Sequence, residues 1–286
     1  MLLEKIDSID TIIHRYNAVI CDIWGVLHDG ININYTAIAA LRRVRAAGKQ
    51  VVLLTNAPKR SNIIQQRFKK MGVSDVFWDD TITSGDCIAA YLLENARDKA
   101  IFHWGTDNDK GIYTDYNFNL TSFDDADIIV CTGLIDSATE ISSKEAIMLT
   151  QAADRKLPFI CANPDKSVKV GNGFELCAGA LADIYLGLDM PVEFFGKPYP
   201  IVYHYCLQTF ERLSGQPVHQ NHILAIGDGI YTDIKGAQNA NIDCVMILNG
   251  LHQELFTENG HNNFTIIRQV CENYDIRPEF YMPSLT

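Results

Sequence analysis

The chain has 286 residues, 47% of them hydrophobic and 21% charged, a composition typical of a globular protein and not of a disordered one. The formal net charge of −11 and the lack of a Lys/Arg cluster argue against nucleic acid as a partner. No apolar stretch approaches the ~20 residues that a membrane span needs, so we expect no membrane association. The eight cysteines are scattered singly and the N-terminus is unlike a signal peptide, so a cytoplasmic location is expected.

Short apolar runs alternate with helical patterns along the chain, and this alternation predicts an α/β fold whose parallel sheet is covered on both faces. The strands are predicted at residues 18–23, 51–54, 128–131, 158–161, 223–226 and 244–248. A first helix is predicted between Asn34 and Gly48. A second has Ser61 as its N-cap and ends at Gly72, and a third has Ser84 as its N-cap.

Polar residues lie at the ends of several predicted strands. Asp22 lies inside the first run, Thr55-Asn56 follow the second, Asn163-Pro164-Asp165 follow the fourth, and Gly227-Asp228-Gly229 follow the fifth. Ligands of open α/β sheets bind beyond the carboxyl ends of the strands. A carboxylate inside an apolar run is costly unless it is paired or bound to metal, so Asp22 is expected to be functional.

Four motifs occur in order along the chain: 21–30 (CDIWGVLHDG), 54–56 (LTN), 196–198 (GKP) and 226–233 (IGDGIYTD). The set resembles the haloacid dehalogenase-like hydrolase superfamily, most of whose members are Mg²⁺-dependent phosphatases. The segment Cys161-Ala162-Asn163-Pro164-Asp165, followed by Cys177-Ala178-Gly179-Ala180, resembles its NagD-type, class IIA branch. The resemblance covers roughly residues 15 to 250, and four motifs in order are far more specific than any one of them.

The resemblance implies a Rossmann-like core, at residues 1–80 and 194–286, and an inserted α/β C2-type cap domain at residues 81–193. It implies that Asp22 attacks phosphorus to form an aspartyl-phosphate, and that Mg²⁺ is held by Asp22, the backbone carbonyl of Trp24 and Asp228. Thr55 and Lys197 would contact the phosphoryl oxygens, and Asp233 would orient Lys197 or a metal-bound water. The expected substrate is a small phosphorylated metabolite, sugar-phosphate or nucleotide-like, and a homodimer is compatible with the branch.

Asn56, Asn163, Asp165 and the loop at 166–180 are the candidates for further contacts with the substrate. Plainer roles remain open for each of these residues taken singly. Asp228 and Asp233 could be turn or N-cap residues, Asn-Pro-Asp a turn, Thr55 a strand-end hydroxyl, and Lys197 a solvated surface lysine.

Trp24 departs from the pattern of the family, whose phosphatases carry there a second Asp that protonates the leaving alcohol and then activates water. Loss of a general acid–base typically costs ~10²–10⁴-fold in rate. Three hypotheses follow. In the first, the chain is a slow phosphohydrolase that acts on esters whose leaving groups need no proton, or one in which His28 or Asp29 replaces the missing acid. In the second it binds phosphometabolites without turnover, and in the third it is a dehalogenase. The third leaves Asp228 and Asp233 unexplained, since dehalogenases dispense with the metal.

Overall fold

The computed structural model describes residues 3–73, 77–114, 116–135, 139–170, 173–258 and 261–286. The chain divides into two compact units. Residues 1–55, 68–82 and 197–286 form the first, here called the core, and residues 56–67 and 83–196 form the second, here called the cap. The domain boundaries expected from the motifs stay a prediction, and residues 171 and 172 of the 166–180 loop lie outside the described residues.

The strands of the described residues are β1 (Glu4–Lys5), β2 (Ala18–Cys21), β3 (Gln50–Thr55), β4 (Asp80–Thr83), β5 (Ala100–Trp104), β6 (Asn119–Leu120), β7 (Ile128–Cys131), β8 (Phe159–Cys161), β9 (Ser167–Val170), β10 (Gly173–Leu176), β11 (Val192–Phe194), β12 (Ile223–Gly227), β13 (Asp243–Ile247), β14 (Thr257–Glu258), β15 (His261–Asn262) and β16 (Phe280–Met282). The helices are α1 (Tyr35–Ala46), α2 (Ser61–Lys70), α3 (Ser84–Asn95), α4 (Ser143–Asp154), α5 (Ala178–Gly187), α6 (Pro200–Ser214), α7 (Lys235–Asn239), α8 (Gln253–Phe256) and α9 (Phe264–Asn273). Among the described residues, we find no helix with the length and apolar character needed to cross a membrane.

The core is built on a seven-stranded sheet of order β1-β16-β13-β12-β2-β3-β4, in which β2 pairs in parallel with both β3 and β12. The register aligns Cys21 with Leu53 on one side and with Ile226 on the other. The strands β2, β3 and β12 therefore end at the same edge of the sheet, because they are parallel and in this register. The predicted α/β fold with a parallel core sheet is confirmed.

Local capping explains where the helices begin. The first helix begins after Asn34 as predicted, and Asn34 is its N-cap, since its side chain accepts a hydrogen bond from the Ala37 N–H. The N-cap predicted at Ser84 is wrong by one residue: Thr83 caps α3 by accepting from the Asp86 N–H, and Ser84 is the first helical residue. Both hydroxyl residues suit an N-cap, and the sequence alone does not separate neighbours of that kind.

The cap has its own parallel sheet of order β11-β8-β7-β5-β6, and a β9–β10 hairpin. Its core is apolar and centred on Trp104, Phe159 and Tyr185. One carboxylate, Glu145, is fully buried beside this core. It accepts hydrogen bonds from the Ser142 N–H (3.1 Å) and hydroxyl (2.9 Å), the Ile135 N–H (2.9 Å) and the Trp104 Nε1–H (3.3 Å). Glu145 thus completes the capping box of α4 and ties this helix to the end of β5 and to the loop after β7.

We predict that Glu145→Ala lowers the free energy of unfolding of the cap by about 2–4 kcal/mol, because one buried donor, on Trp104, and three half-buried donors lose their acceptor. Urea unfolding followed by tryptophan fluorescence measures the loss. Glu140→Ala, at an exposed position just before α4, is the control and should cost less than about 0.5 kcal/mol. Equal stability of the two variants would contradict the structural role given to Glu145.

Candidate active site

Asp22 directly follows the carboxyl end of β2, an inner strand of the core sheet. Its side chain is buried, and its backbone N–H continues the sheet pairing by donating to the Ile226 carbonyl at 2.9 Å. The Oδ1 atom accepts a hydrogen bond from Lys197 Nζ at 2.5 Å. One carboxylate oxygen is therefore fixed, which gives the Asp22 side chain a single orientation.

Lys197 lies among carboxylates and not in solvent. Only 3% of the residue is exposed, and Nζ also donates to Asp233 Oδ1 at 2.7 Å and to the Leu54 carbonyl at 3.2 Å. Burial alone would lower the pKa of Lys197, but Asp22 and Asp233 outweigh it and hold the pKa well above its usual range. The plainer interpretation, a solvated surface lysine, is wrong.

Asp228 and Asp233 come from the loop after β12 and the helical turn that follows it. Asp228 Oδ2 accepts from the Leu251 N–H at 2.5 Å, and Asp233 Oδ2 accepts from the Gly229 N–H at 3.0 Å. Both carboxylates therefore organise a turn, as the plainer interpretation expects. Each of Asp22, Asp228 and Asp233 also offers an oxygen that lies within 4.8 Å of the other two, so the turn role leaves these carboxylates able to hold a metal ion as well.

Glycine allows the backbone to come close to Asp228. A Cβ atom on either Gly25 or Gly250 would overlap the Asp228 carboxylate, and Gly25 also has a φ of +85°. Gly25 is part of the first predicted motif, whereas residues 250 and 251 lie outside every predicted motif. The signal was there, because Asn249-Gly250 follows the predicted strand at 244–248 and marks one more strand end at the same edge.

The site carries more negative charge than its one lysine compensates. Burial, reinforced by the charge of Asp233, raises the pKa of Asp22 well above its usual range. The same two causes raise the pKa of Asp228 to about 7. Three buried carboxylates against one ammonium leave an excess of about two negative charges when all are ionised. A divalent cation is the counter-charge that this arrangement fits.

The remaining predicted residues fall into two places. Thr55 ends β3 in the core and is buried, next to Leu54, whose carbonyl accepts from Lys197. Asn56, Asn163 and Asp165 belong to the cap, which brings them together. Asn56 Nδ2 donates to Asp165 Oδ1 at 3.2 Å, and Asn163 Oδ1 accepts from the Asp165 N–H at 3.2 Å. Asn-Pro-Asp is thus a turn closed by the Asn163 side chain, and its Asp165 side chain is bonded to Asn56.

Trp24 lies in the loop between Asp22 and His28 and is half-buried. His28 is buried, with its ring centroid 5.2 Å from that of Trp24, and its Nδ1 accepts from the Gly30 N–H at 3.1 Å. Asp29 is fixed by accepting hydrogen bonds from the backbone N–H groups of Ile31 and Asn32. These bonds and that from the Asn32 side chain hold the pKa of Asp29 down at about 2, so it is a poor proton donor.

Comparison with known proteins gives consistent matches. A family model for haloacid dehalogenase-like hydrolases matches residues 19–119, and a second, HAD-hydrolase-like model matches residues 194–286. The ribonucleotide monophosphatase NagD of Escherichia coli (strain K12) is 27% identical over 240 residues, which cover 82% of this chain and 88% of NagD.

Solved structures match over nearly the whole length. A haloacid dehalogenase-like hydrolase from Brucella suis 1330 is 34% identical, with a TM-score of 0.85, and the match covers 98% of this chain and 100% of that one. A 4-nitrophenylphosphatase from Thermotoga maritima shares the fold, at 20% identity and a TM-score of 0.72 over 95% of each chain. The chain therefore belongs to the haloacid dehalogenase-like hydrolase family, in its NagD-type branch.

Proposed function

We propose that this hydrolase is a Mg²⁺-dependent phosphohydrolase that acts on a small phosphorylated metabolite through an aspartyl-phosphate on Asp22. One observation carries the proposal: Asp22, Asp228 and Asp233 converge within 4.8 Å around a single buried lysine at the carboxyl edge of the core sheet. A phosphate dianion and a carboxylate nucleophile repel each other, so such a reaction needs this site to gather positive charge.

The donor set fits Mg²⁺, because every available ligand is an oxygen atom, which is the ligand type that this ion prefers. Asp22, Asp228 and the backbone carbonyl of Trp24 would hold it. The bound ion would neutralise the carboxylates and the phosphate group. The excess of negative charge in the site, and the raised pKa of Asp22 and Asp228, support this assignment.

Asp22 supplies the nucleophile. An oxygen of its carboxylate forms a bond to phosphorus while the bond from phosphorus to the leaving oxygen breaks, and the leaving group departs with the electron pair. Water then hydrolyses the acyl-phosphate and regenerates Asp22. The hydrogen bond from Lys197 holds the carboxylate ready for in-line attack.

Lys197 and Thr55 contact the phosphoryl oxygens, on which charge is spread during transfer. Asp233 acts through Lys197, since its bond to Nζ positions the ammonium between the two carboxylates. Asn56, Asn163 and Asp165 of the cap contact the organic part of the substrate.

The names of relatives support a nucleotide or sugar-phosphate substrate. NagD is a ribonucleotide monophosphatase, and a dihydroxyacetone phosphatase from Corynebacterium glutamicum is 27% identical over 97 residues, 34% of this chain and 33% of that protein. A phosphometabolite-binding protein without turnover is the less favoured candidate, because these relatives carry the names of phosphatases. No role for nucleic acid or membranes is proposed, and a homodimer stays a proposal.

We predict that Asp228→Asn lowers Mg²⁺ affinity at least tenfold and kcat/KM for any turned-over phosphate by 10²-fold or more, because one anionic ligand is lost. Isothermal titration with MgCl₂ and phosphate release from acetyl phosphate measure the two effects. Asp7→Asn, on a side chain that is 89% exposed, is the matched control. Unchanged Mg²⁺ affinity in Asp228→Asn would remove Asp228 from the metal site.

We predict that Lys197→Met destabilises the core by about 3–5 kcal/mol without metal, because Asp22 and Asp233 lose their buried partner. Activity should fall about 10²–10³-fold, as for the loss of a donor to a transferring group. Added Mg²⁺ should recover part of the stability, since the ion binds only the folded chain. Thermal unfolding with and without MgCl₂ checks this, and a variant as stable as the parent would contradict the placement of Lys197.

We predict that Trp24→Asp raises turnover of alkyl phosphates, by up to about 10²–10⁴-fold, if a general acid–base is what the site lacks. Trp24→Asn is the matched control, because an Asn side chain has nearly the size of Asp and cannot transfer a proton at neutral pH. The kcat of both variants for glycerol phosphate is the measurement. Equal rates would mean that the indole has a role beyond occupying the position of an acid.

A further inference from the structure

The loop that follows Asp22 holds Trp24 in a fixed backbone conformation. The Gly25 N–H donates to the His28 carbonyl at 2.9 Å, and the Leu27 N–H donates to the Ile23 carbonyl at the same distance. Trp24 also forms an isolated parallel bridge with His28. These bonds fix the loop that carries Trp24, two residues after Asp22, and the adjacent Gly25 lies against the Asp228 carboxylate.

The indole itself has little freedom. Its ring lies against Gly30, where a Cβ atom would come within 2.7–2.8 Å of two ring carbons, and its neighbour His28 meets it edge-on at an interplanar angle of 79°. His28 in turn packs on Phe68, which contacts Phe77 and Trp78. The indole is therefore the outermost member of a row of contacting aromatic rings in the core. Trp24 is half-buried, so part of its surface stays exposed.

The same position has no proton to give. An indole N–H does not titrate in water, and the three clustered carboxylates of the described core already accept hydrogen bonds from Lys197, Gly229 or Leu251. Because Trp24 itself supplies no acid, a leaving group that is stable as an anion suits this position better than one that must be protonated. Phenolates meet this requirement far better than alkoxides, and a phenyl ring also pairs well with an indole.

We propose that Trp24 is a specificity-determining residue that selects phosphate monoesters of phenols, with the aromatic leaving group in contact with the indole. The inference rests on the proposed phosphohydrolase function, and it replaces the nucleotide or sugar phosphate that the names of relatives support by an aryl phosphate. In the reaction the Asp22 oxygen bonds to phosphorus, the bond between phosphorus and the phenolic oxygen breaks, and the phenolate leaves with the electron pair. The phenolate takes its proton from solvent afterwards, so no protein acid is required.

The first experiment measures binding without chemistry, by titrating phenylphosphonate and cyclohexylphosphonate into the Mg²⁺-loaded full chain. Neither has an oxygen leaving group, so the comparison isolates the contact with the ring. Phenylphosphonate should bind about threefold to tenfold more tightly, the range expected for one aromatic pair. Binding should also change tryptophan fluorescence through Trp24, because Trp78 is 7% and Trp104 0% exposed.

Two variants test whether Trp24 causes the preference. Trp24→Phe keeps an aromatic face and should keep the preference while the fluorescence change is lost. Trp24→Leu keeps an apolar side chain without a ring and should bring the two affinities within a factor of two. A Trp24→Leu variant that still favours phenylphosphonate, or a parent chain without preference, would overturn the proposal. Thermal unfolding shows whether the variants are folded. If Trp24→Leu is unfolded, Trp24→Phe is the remaining test, and a fluorescence change on phenylphosphonate binding that survives in it would overturn the proposal.

The second experiment compares rates of phosphate release from phenyl phosphate, cyclohexyl phosphate and acetyl phosphate. Phenyl phosphate should exceed cyclohexyl phosphate by at least 10²-fold, and the ratio of phenyl phosphate to acetyl phosphate should fall in Trp24→Leu. Release from acetyl phosphate alone, with no aryl preference, would reject this inference and leave the proposed function standing. No Mg²⁺-dependent release from any of the three would reject the proposed function itself.

Discussion

The core depends on how a buried ammonium group balances the carboxylates around it. Lys197 lies 2.5 Å from Asp22 and 2.7 Å from Asp233, and it is almost completely buried. A buried charge is stable only where it is paired and hydrogen-bonded, and Lys197 meets this condition through two carboxylates and the Leu54 carbonyl. The third carboxylate, Asp228, shares no such bond with Lys197 in the described contacts. The remaining negative charge makes the site receptive to a cation and, through it, to a phosphate group.

These charges can meet only because adjacent strands of the core sheet end at the same edge. Cys21 is aligned with Leu53 and with Ile226, so Asp22, Thr55 and Asp228 emerge from three adjacent strands at the same edge. A shift of one residue in the register would turn the alternating side chains to the opposite face. The buried apolar strands fix that register, since each must keep its side chains in the core. Packing of the sheet and chemistry of the site are therefore specified by the same residues.

The sequence was most informative where a single residue contradicts its surroundings. Asp22 stands out because a carboxylate interrupts an apolar run, and the structure places it in the buried cluster. Lys197 gave no such signal, since its partners lie 175 and 36 residues away and only folding brings them together. Asn56 follows Thr55 directly but belongs to the other compact unit, a division that neither periodicity nor composition reveals. Residues 250 and 251 were missed because their contact is made by backbone, which a motif of side chains does not record.

Trp24 is more than a replacement that removes an acid, because the neighbouring residues pack closely around its indole. Gly30 has a φ of +95° and leaves room for the indole that no other residue would leave, and His28 is turned edge-on to the ring and hydrogen-bonded to the Gly30 N–H. A side chain lost without consequence would be expected to leave a cavity or loose packing around it. Here the loop, the imidazole and Phe68 behind it form one packed set. Such packing is what a site needs in order to hold an aromatic surface still beside a reacting phosphate, because a rigid ring loses little freedom when a ligand binds to it.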